Sequence, residues 1–154
     1  MNIEHALIHH IISNYYIALI PNIYYGVFEC DVLSINKKLY TVEYEIKCSK
    51  KDFQNDFKKN DGKWINPNNK HDLIKNGQRT NRFFFVVEKG IEIDIPEYAG
   101  LISFERKNSW VSFRKIKNAP RLHGRQIDEK KIKRCLEKLS WKYYLAMHDR
   151  YCLD

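Results

Sequence analysis

The run "NRFFFVV" at residues 81–87 limits what this chain can fold into. Its unbroken apolar stretch leaves no polar face, so an extended segment here has to be buried on both sides. A strand covered on both faces needs a layer above it and another below. At 154 residues the chain is one domain of ordinary size, long enough to supply those layers and a real core. Hydrophobic residues at 44% and aromatics at 14% indicate a folded globule rather than a disordered chain.

The flanking segments read as the covering elements. Residues 3–18 carry apolar side chains at Ile3, Leu7, Ile8, Ile11, Ile12 and Tyr15, a helical stripe that Pro21 ends. "IYYGVFECDVLSI" reads as extended chain interrupted at Gly26. "NKK" (36–38) is a turn and "LYTVEYEIKC" the returning strand, which makes 31–48 a β-hairpin. Ser49 followed by Asp52 is a capping box that starts a helix over 50–59. "NDGKWINPNN" is a loop, and "HDLIKNG" a short helix closed by Gly77. After the buried strand come the loop "EIDIPEYAG", the strand "LISFE", a turn at Asn108-Ser109 and the strand "WVSFRKI". From Ile127 onward Ile132, Cys135, Leu136, Leu139, Tyr143 and Met147 give a long amphipathic helix, with Lys130, Lys131, Lys133, Arg134, Lys138 and Lys142 on its other faces. The order predicts an α/β sandwich with a mixed sheet covered on both sides. The last helix is expected to cap the sheet, although its apolar seam and late aromatics (Trp141, Tyr143, Tyr144) also suit an interface, so monomer and homodimer both stay open.

The hairpin's second strand carries an unusual face. Tyr40, Val42, Tyr44, Ile46 and Cys48 alternate as a half-buried strand should, which puts Glu43, Glu45 and Lys47 together on the other side. That side is either a solvated sheet surface or half of an active site. With a three-residue turn at 36–38, Ile35 pairs with Leu39 and Asp31 falls opposite Glu43, on the same face. A two-residue turn would reverse Asp31. Carboxylates so close are costly unless a cation neutralises them. A hard divalent ion such as Mg²⁺ suits one or two carboxylate oxygens, a backbone carbonyl and several waters. A lysine two residues after the second acid points at the same spot, where it can position a water or stabilise charge on a phosphate. Glu4, on the stripe Glu4–Ile8–Ile11–Tyr15, either reaches the same cluster or serves the first turn of its helix.

Charge narrows the partner. The net charge is +8, and residues 105–142 hold 13 Lys/Arg against 4 Asp/Glu, a surplus of 9 that exceeds the whole chain's. A Lys- and Asn-rich composition also follows from an AT-rich genome, but the clustering favours a nucleic-acid partner. Cys30, Cys48, Cys135 and Cys152 show no metal-binding spacing and read as reduced, mostly buried thiols. The histidines, His71, His123 and His148 among them, form no ligand array. No stretch approaches the roughly 18 apolar residues of a membrane span. The N-terminus lacks the basic region and cleavage site of a signal peptide, so the expectation is a cytoplasmic protein that needs no membrane.

Asp31, thirteen intervening residues and then Glu45-Ile46-Lys47 is similar to the PD-(D/E)XK motif of the restriction-endonuclease-like nuclease superfamily. "EYEIKCSKKDFQNDFKK", followed by "HDLI", "NRFFFVV" and "IPEYAGLI…APRLH", resembles small bacterial and phage members, some of them linked to DNA repair. The resemblance covers residues 25–123. It implies a single nuclease-like domain over 1–154, with an αβββαβ core at 3–123 and a C-terminal basic helix at 127–150. It also implies that Asp31, Glu45 and the Ile46 backbone carbonyl bind Mg²⁺ or Mn²⁺, joined by Glu4 where members use a helix-1 acid. Lys47 would then position the water that attacks a phosphodiester, in a bacterial or phage-infected cell. Cys30 stands where the family usually has proline, and Glu43 falls outside the motif, as a surface residue or a partner behind the site. Lys50, Lys51, Arg114, Lys115, Lys117, Arg121, Arg125, Lys130 and Arg134 are the expected DNA contacts. The alternatives are a non-catalytic nucleic-acid-binding module and a phage interaction or anti-defence factor. For the last, the basic charge argues against a mimic of DNA.

Overall fold

Residues 81–87 do lie at the centre. The computed structural model describes residues 2–13 and 15–151. In chain order it has α1 (Ile3–Ile11), β1 (Tyr16–Tyr25), β2 (Phe28–Asn36), β3 (Thr41–Lys47), α2 (Lys50–Asp56), α3 (Lys70–Lys75), β4 (Arg82–Glu88), β5 (Gly100–Lys107), β6 (Trp110–Lys117) and α4 (Glu129–Tyr151). The strands form one mixed sheet in the order β1-β2-β3-β4-β5-β6. β4 runs parallel to both neighbours, and the other pairs are antiparallel. A parallel return from β3 to β4 needs a crossover, which α2 and α3 supply.

Each covering element buries one apolar face. Ile3 and Leu7 of α1 pack on Val32, Tyr44, Phe84, Val86 and Phe104. On the other side Phe53 of α2 and Ile74 of α3 cover Phe83, Phe85 and Val87. Further along, Cys135 of α4 and the preceding Ile127 close over Ile20, Ile23, Leu33 and Ile35 of β1 and β2. All of residues 83–87 are therefore buried.

Four expectations need correction. The first helix stops at Ile11, and residues 16–25 form an additional edge strand instead of its continuation. Tyr16, Ile17, Ile20, Ile23, Tyr24 and Tyr25 are β-branched or aromatic and favour a pleated surface. Pro21 sits inside that strand opposite Val32, tolerated because an edge strand leaves one side of its backbone unpaired. The β1–β2 connection is a two-residue turn in which Gly26, at φ +72°, takes the left-handed position.

The hairpin register is the second correction. Ile35 pairs with Thr41 rather than Leu39, and the loop spans residues 37–39, with Asn36 N donating to Tyr40 O at 3.0 Å. Leu39 takes the left-handed conformation at φ +62° that closes such a loop. Every pairing moves by two positions, an even slip, so the faces are unchanged. Thirdly, α2 ends at Asp56, after which Lys58 and Lys59 make tighter bonds to the carbonyls of Asn55 and Asp56. Lastly, only the first half of α4 packs as a seam. Cys135 is buried with Ile132 and Leu139 beside it, whereas Leu136 and Tyr143 are exposed.

Several local signals hold. Ser49 caps α2 by accepting from Asp52 N at 3.1 Å. Gly77 closes α3 at φ +65°, where a Cβ would meet the Leu122 carbonyl oxygen at 2.7 Å. Cys30 and Cys135 are buried free thiols, Cys48 is exposed, and Cys152 lies outside the described residues. No described helix is long and apolar enough to cross a membrane.

Phe85 is wholly buried, 4.8 Å from the Phe53 ring and 4.9 Å from Phe83. Phe85→Ala is expected to destabilise the fold by about 3–5 kcal/mol in urea unfolding. A loss under about 1 kcal/mol would show that β4 is not the centre of the core.

Candidate functional site

Glu43, Glu45 and Lys47 do share a face of β3, but that face is buried rather than solvated: the three side chains are 0%, 1% and 3% exposed. Tyr44, between them, points the other way into the α1 layer. Ionised groups under α2 and α3 require partners, and these come mostly from residues the sequence reading left without a role. Lys70, at the start of α3 and fully buried, lies against both Glu45 and Glu43, 3.2 Å from the latter, and donates to the Glu29 carbonyl at 3.2 Å. Arg79 grips Glu43 through two nitrogens at 2.6 and 3.0 Å and donates to the carbonyls of Tyr25 and Phe28. Glu43 is thus not a surface residue.

A second branch starts from Lys47. Its ammonium lies 3.3 Å from Glu45 and 2.9 Å from Asp56, which is fully buried at the end of α2. Asp56 also binds Lys59 at 2.5 Å and accepts from His71 Nε2 at 2.7 Å. The other ring nitrogen of His71 meets the Tyr98 hydroxyl at 2.9 Å. Lys59 reaches Glu45 as well, at 3.6 Å.

Asp31 completes the group from β2. The β2–β3 ladder ends at Val32 opposite Tyr44. One step further the Asp31 carboxylate replaces a backbone carbonyl, accepting from Ile46 N at 2.6 Å. A residue in a strand directs its N–H and C=O to the same side, so the Ile46 carbonyl also points to the β2 side. The corrected register makes Glu45, not Glu43, the residue across from Asp31.

These surroundings push the acids apart. Burial raises the Glu45 carboxyl to about 7; Lys70 opposes the rise, and Asp56, Asp31 and Glu43 add to it. Burial also raises Asp31, against the Ile46 N–H bond and the charge of Lys47. For Asp56 burial is outweighed by the His71 hydrogen bond and the Lys70 and Lys47 charges, which hold it well below the usual carboxylate range. Glu43 likewise stays below its ordinary value because Arg79 and Lys70 overcome its desolvation. Lys47 and Lys70 lie above theirs: burial disfavours both ammonium groups, and the adjoining carboxylates prevail.

A hard divalent cation takes oxygen ligands. Asp31, Glu45 and the Ile46 carbonyl offer oxygen alone, and Asp31 makes no ion pair among the described residues. The raised values of Asp31 and Glu45 mark carboxylates that further positive charge would stabilise in their ionised form. Against this, Glu45 already touches three ammonium groups, and no group of three or more His, Cys, Asp or Glu suited to a metal occurs among the described residues.

The other expected residues are more scattered. Glu4 is half-buried on α1, which packs on the Tyr44 side of the sheet, and makes no hydrogen bond or ion pair with the cluster. Lys50 and Lys51 are exposed on the first turn of α2, three and four residues after Lys47. Arg114, Lys115 and Lys117 lie on β6, at one edge of the sheet, with Lys117 donating to the Pro96 carbonyl at 2.8 Å. Lys130 and Arg134 are exposed on α4, which packs at the opposite, β1 edge. Arg121 and Arg125 occupy the connecting segment, Arg121 stacked over the Tyr40 ring at 4.4 Å and Arg125 donating to the Gly77 carbonyl. The basic stretch at 105–142 is thus divided between the two edges of the sheet and the segment that connects them.

The fold is similar to that of a protein of unknown function from Silicibacter pomeroyi, with a TM-score of 0.59 and 16% sequence identity over 95% of this chain and 84% of that one. No protein-family model and no curated protein matches the chain.

Two outcomes test the cluster. Arg79→Ala removes the two-nitrogen partner of Glu43 and leaves Lys70 as its one remaining cation, and is expected to cost about 3 kcal/mol in unfolding free energy, against a change within about 0.5 kcal/mol for exposed Lys50→Ala. Glu45, with its folded-state pKa raised from 4.5 to about 7, holds its proton more tightly folded than unfolded. Its contribution therefore favours folding at low pH and is lost as pH rises through about 7. The stability of the natural protein relative to Glu45→Gln should fall between pH 4.5 and 7. Urea midpoints that differ by a constant amount across that window would refute the assignment.

Proposed function

We propose that this protein is a Mg²⁺- or Mn²⁺-dependent nuclease that hydrolyses DNA phosphodiester bonds on a restriction-endonuclease-like core. The observation that carries the reading is the meeting of Asp31, the Ile46 backbone and Glu45 where the β2–β3 ladder stops, with Lys47 fixed beside them. The element order supports it: α1, three antiparallel strands, α2 and α3, then parallel β4 follow the αβββαβ sequence that the motif implies.

Asp31, Glu45 and the Ile46 carbonyl would hold the cation, which supplies Lewis-acid stabilisation of charge on the scissile phosphate. Lys47 serves the attacking water. Asp56 orients its ammonium, so it can hold the water in line with phosphorus; the water's oxygen bonds to phosphorus as the bond from phosphorus to the bridging oxygen breaks, and the water's proton passes through solvent to the departing oxygen. The same ammonium offsets negative charge building on the phosphate. Lys50 and Lys51, nearest Lys47 in the chain, are the first candidates to hold flanking phosphates, with Arg121, Arg125, Lys130 and Arg134 further along the surface.

A second reading, a nucleic-acid-binding module that cuts nothing, is favoured by one feature. The ammonium groups of Lys70, Lys47 and Lys59 already neutralise Glu45.

Plasmid or oligonucleotide digestion separates the two. Cleavage is expected with Mg²⁺ or Mn²⁺ and not with chelator. Asp31→Ala, Glu45→Gln and Lys47→Ala should each slow it by roughly 10²–10³-fold, with folding checked by circular dichroism. Cleavage intact in both Asp31→Ala and Lys47→Ala sinks the site. Binding that weakens steeply with salt but brings no metal-stimulated cleavage favours the module.

A further inference from the structure

The loop at residues 60–69, whose two ends meet at the Glu45 cluster, carries an aromatic side chain in open water. Trp64 is 101% exposed and Ile65 82%, the barest large apolar side chains among the described residues. The stem beneath them is tied down. Asn60 bridges to Asn69, and the Asp61 carboxylate accepts from Asn68 N at 3.0 Å and Asn68 Nδ2 at 2.8 Å. Lys70 N donates to the Lys59 carbonyl at 3.0 Å. The loop therefore leaves the protein at Lys59 and returns at Lys70, and both lysines touch Glu45.

We propose that this loop is a base-stacking finger, in which Trp64 covers the face of an unpaired nucleic-acid base held next to the Glu45 site; the inference rests on the nuclease reading and narrows its substrate to DNA with an accessible unpaired base. Three features select that occupant. A stem held by hydrogen bonds fixes where the loop leaves and re-enters the protein, so that on binding the indole and the loop tip are what remain to be ordered. The loop and its approach carry three lysines, Lys58, Lys59 and Lys63, against the one acid Asp61, which pairs with Lys63 at 3.2 Å. Every base offers a flat face to an indole, but in a paired duplex those faces are taken by neighbouring base pairs.

The test is fluorescence anisotropy of the full chain with a short labelled single-stranded oligonucleotide and with its duplex, in excess chelator so that nothing is cut. The natural protein should bind the single strand more tightly. Trp64→Ala should lose roughly tenfold or more of that affinity and Trp64→Tyr should keep most of it. Neither change should move the melting temperature, because the side chain packs against nothing. Single-strand affinity unchanged in Trp64→Ala overturns the finger. So does Trp64-dependent co-sedimentation with phosphatidylcholine vesicles unaccompanied by Trp64-dependent strand binding. Digestion with Mg²⁺ keeps the two readings apart. Trp64-dependent strand binding in a protein that never cuts leaves the finger and removes the nuclease. Cleavage that proceeds at the same rate and on the same substrates in Trp64→Ala leaves the nuclease and removes the finger.

Discussion

The ammonium of Lys70, enclosed between Glu43 and Glu45, is the contact on which the middle of the molecule depends. β3 carries two acids and a lysine on a face that the fold covers with helices, and an uncompensated buried charge costs several kcal/mol. Lys70 and Arg79 neutralise one end of that face, and Asp56 secures Lys47 at the other. The crossover from β3 to β4 is therefore fixed electrostatically as well as by packing. α2 supplies Asp56, α3 supplies Lys70 and His71, and the turn after α3 supplies Arg79.

That arrangement accounts for the division of roles among the acids. Glu43 and Asp56 are saturated by cations and hydrogen bonds, and remain ionised below the ordinary carboxylate range. Asp31 and Glu45, at the open end of the β2–β3 ladder, are pushed upward by desolvation. Neighbouring carboxylates with opposed proton affinities are a pattern shared by functional sites and structural ion networks. Of the two raised acids, Asp31 makes no ion pair among the described residues and is the acid with charge still to be compensated, whereas Glu45 is already met by Lys47, Lys59 and Lys70.

Much of the candidate site was legible in the strand "YTVEYEIKC". Period-two alternation put Glu43, Glu45 and Lys47 on one side, and an even slip in register left Asp31 on theirs. What alternation could not supply was burial, because a solvated and a covered charged face have the same sequence pattern. Lys70, Arg79 and His71 were missed for a related reason. Each is a single charged or polar residue in a loop or short helix, 25 to 36 positions from the carboxylate or lysine partner it was needed to explain in two of the three cases. Asp56 had a signal, as the last acid of "KCSKKDFQND", but nothing in its spacing distinguished a buried anchor for Lys47 from an exposed helix residue. The scattering of the basic residues has the same origin: proximity along residues 105–142 does not survive a chain that runs from one edge of the sheet to the other.

The sequence by itself determined the elements whose signals are local. These are the central strand, from an apolar run that only two-sided burial tolerates; the Ser49 cap of α2; the Gly77 stop of α3; and the alternation of β3. Tertiary structure decided what depends on contacts between distant segments. It turned residues 16–25 into an edge strand, since β2 had a free side to pair with, and it ended the first helix at Ile11. It also decided that the charged face of β3 is buried, because the parallel return to β4 carries two helices across it, and it chose the cations that make such burial possible.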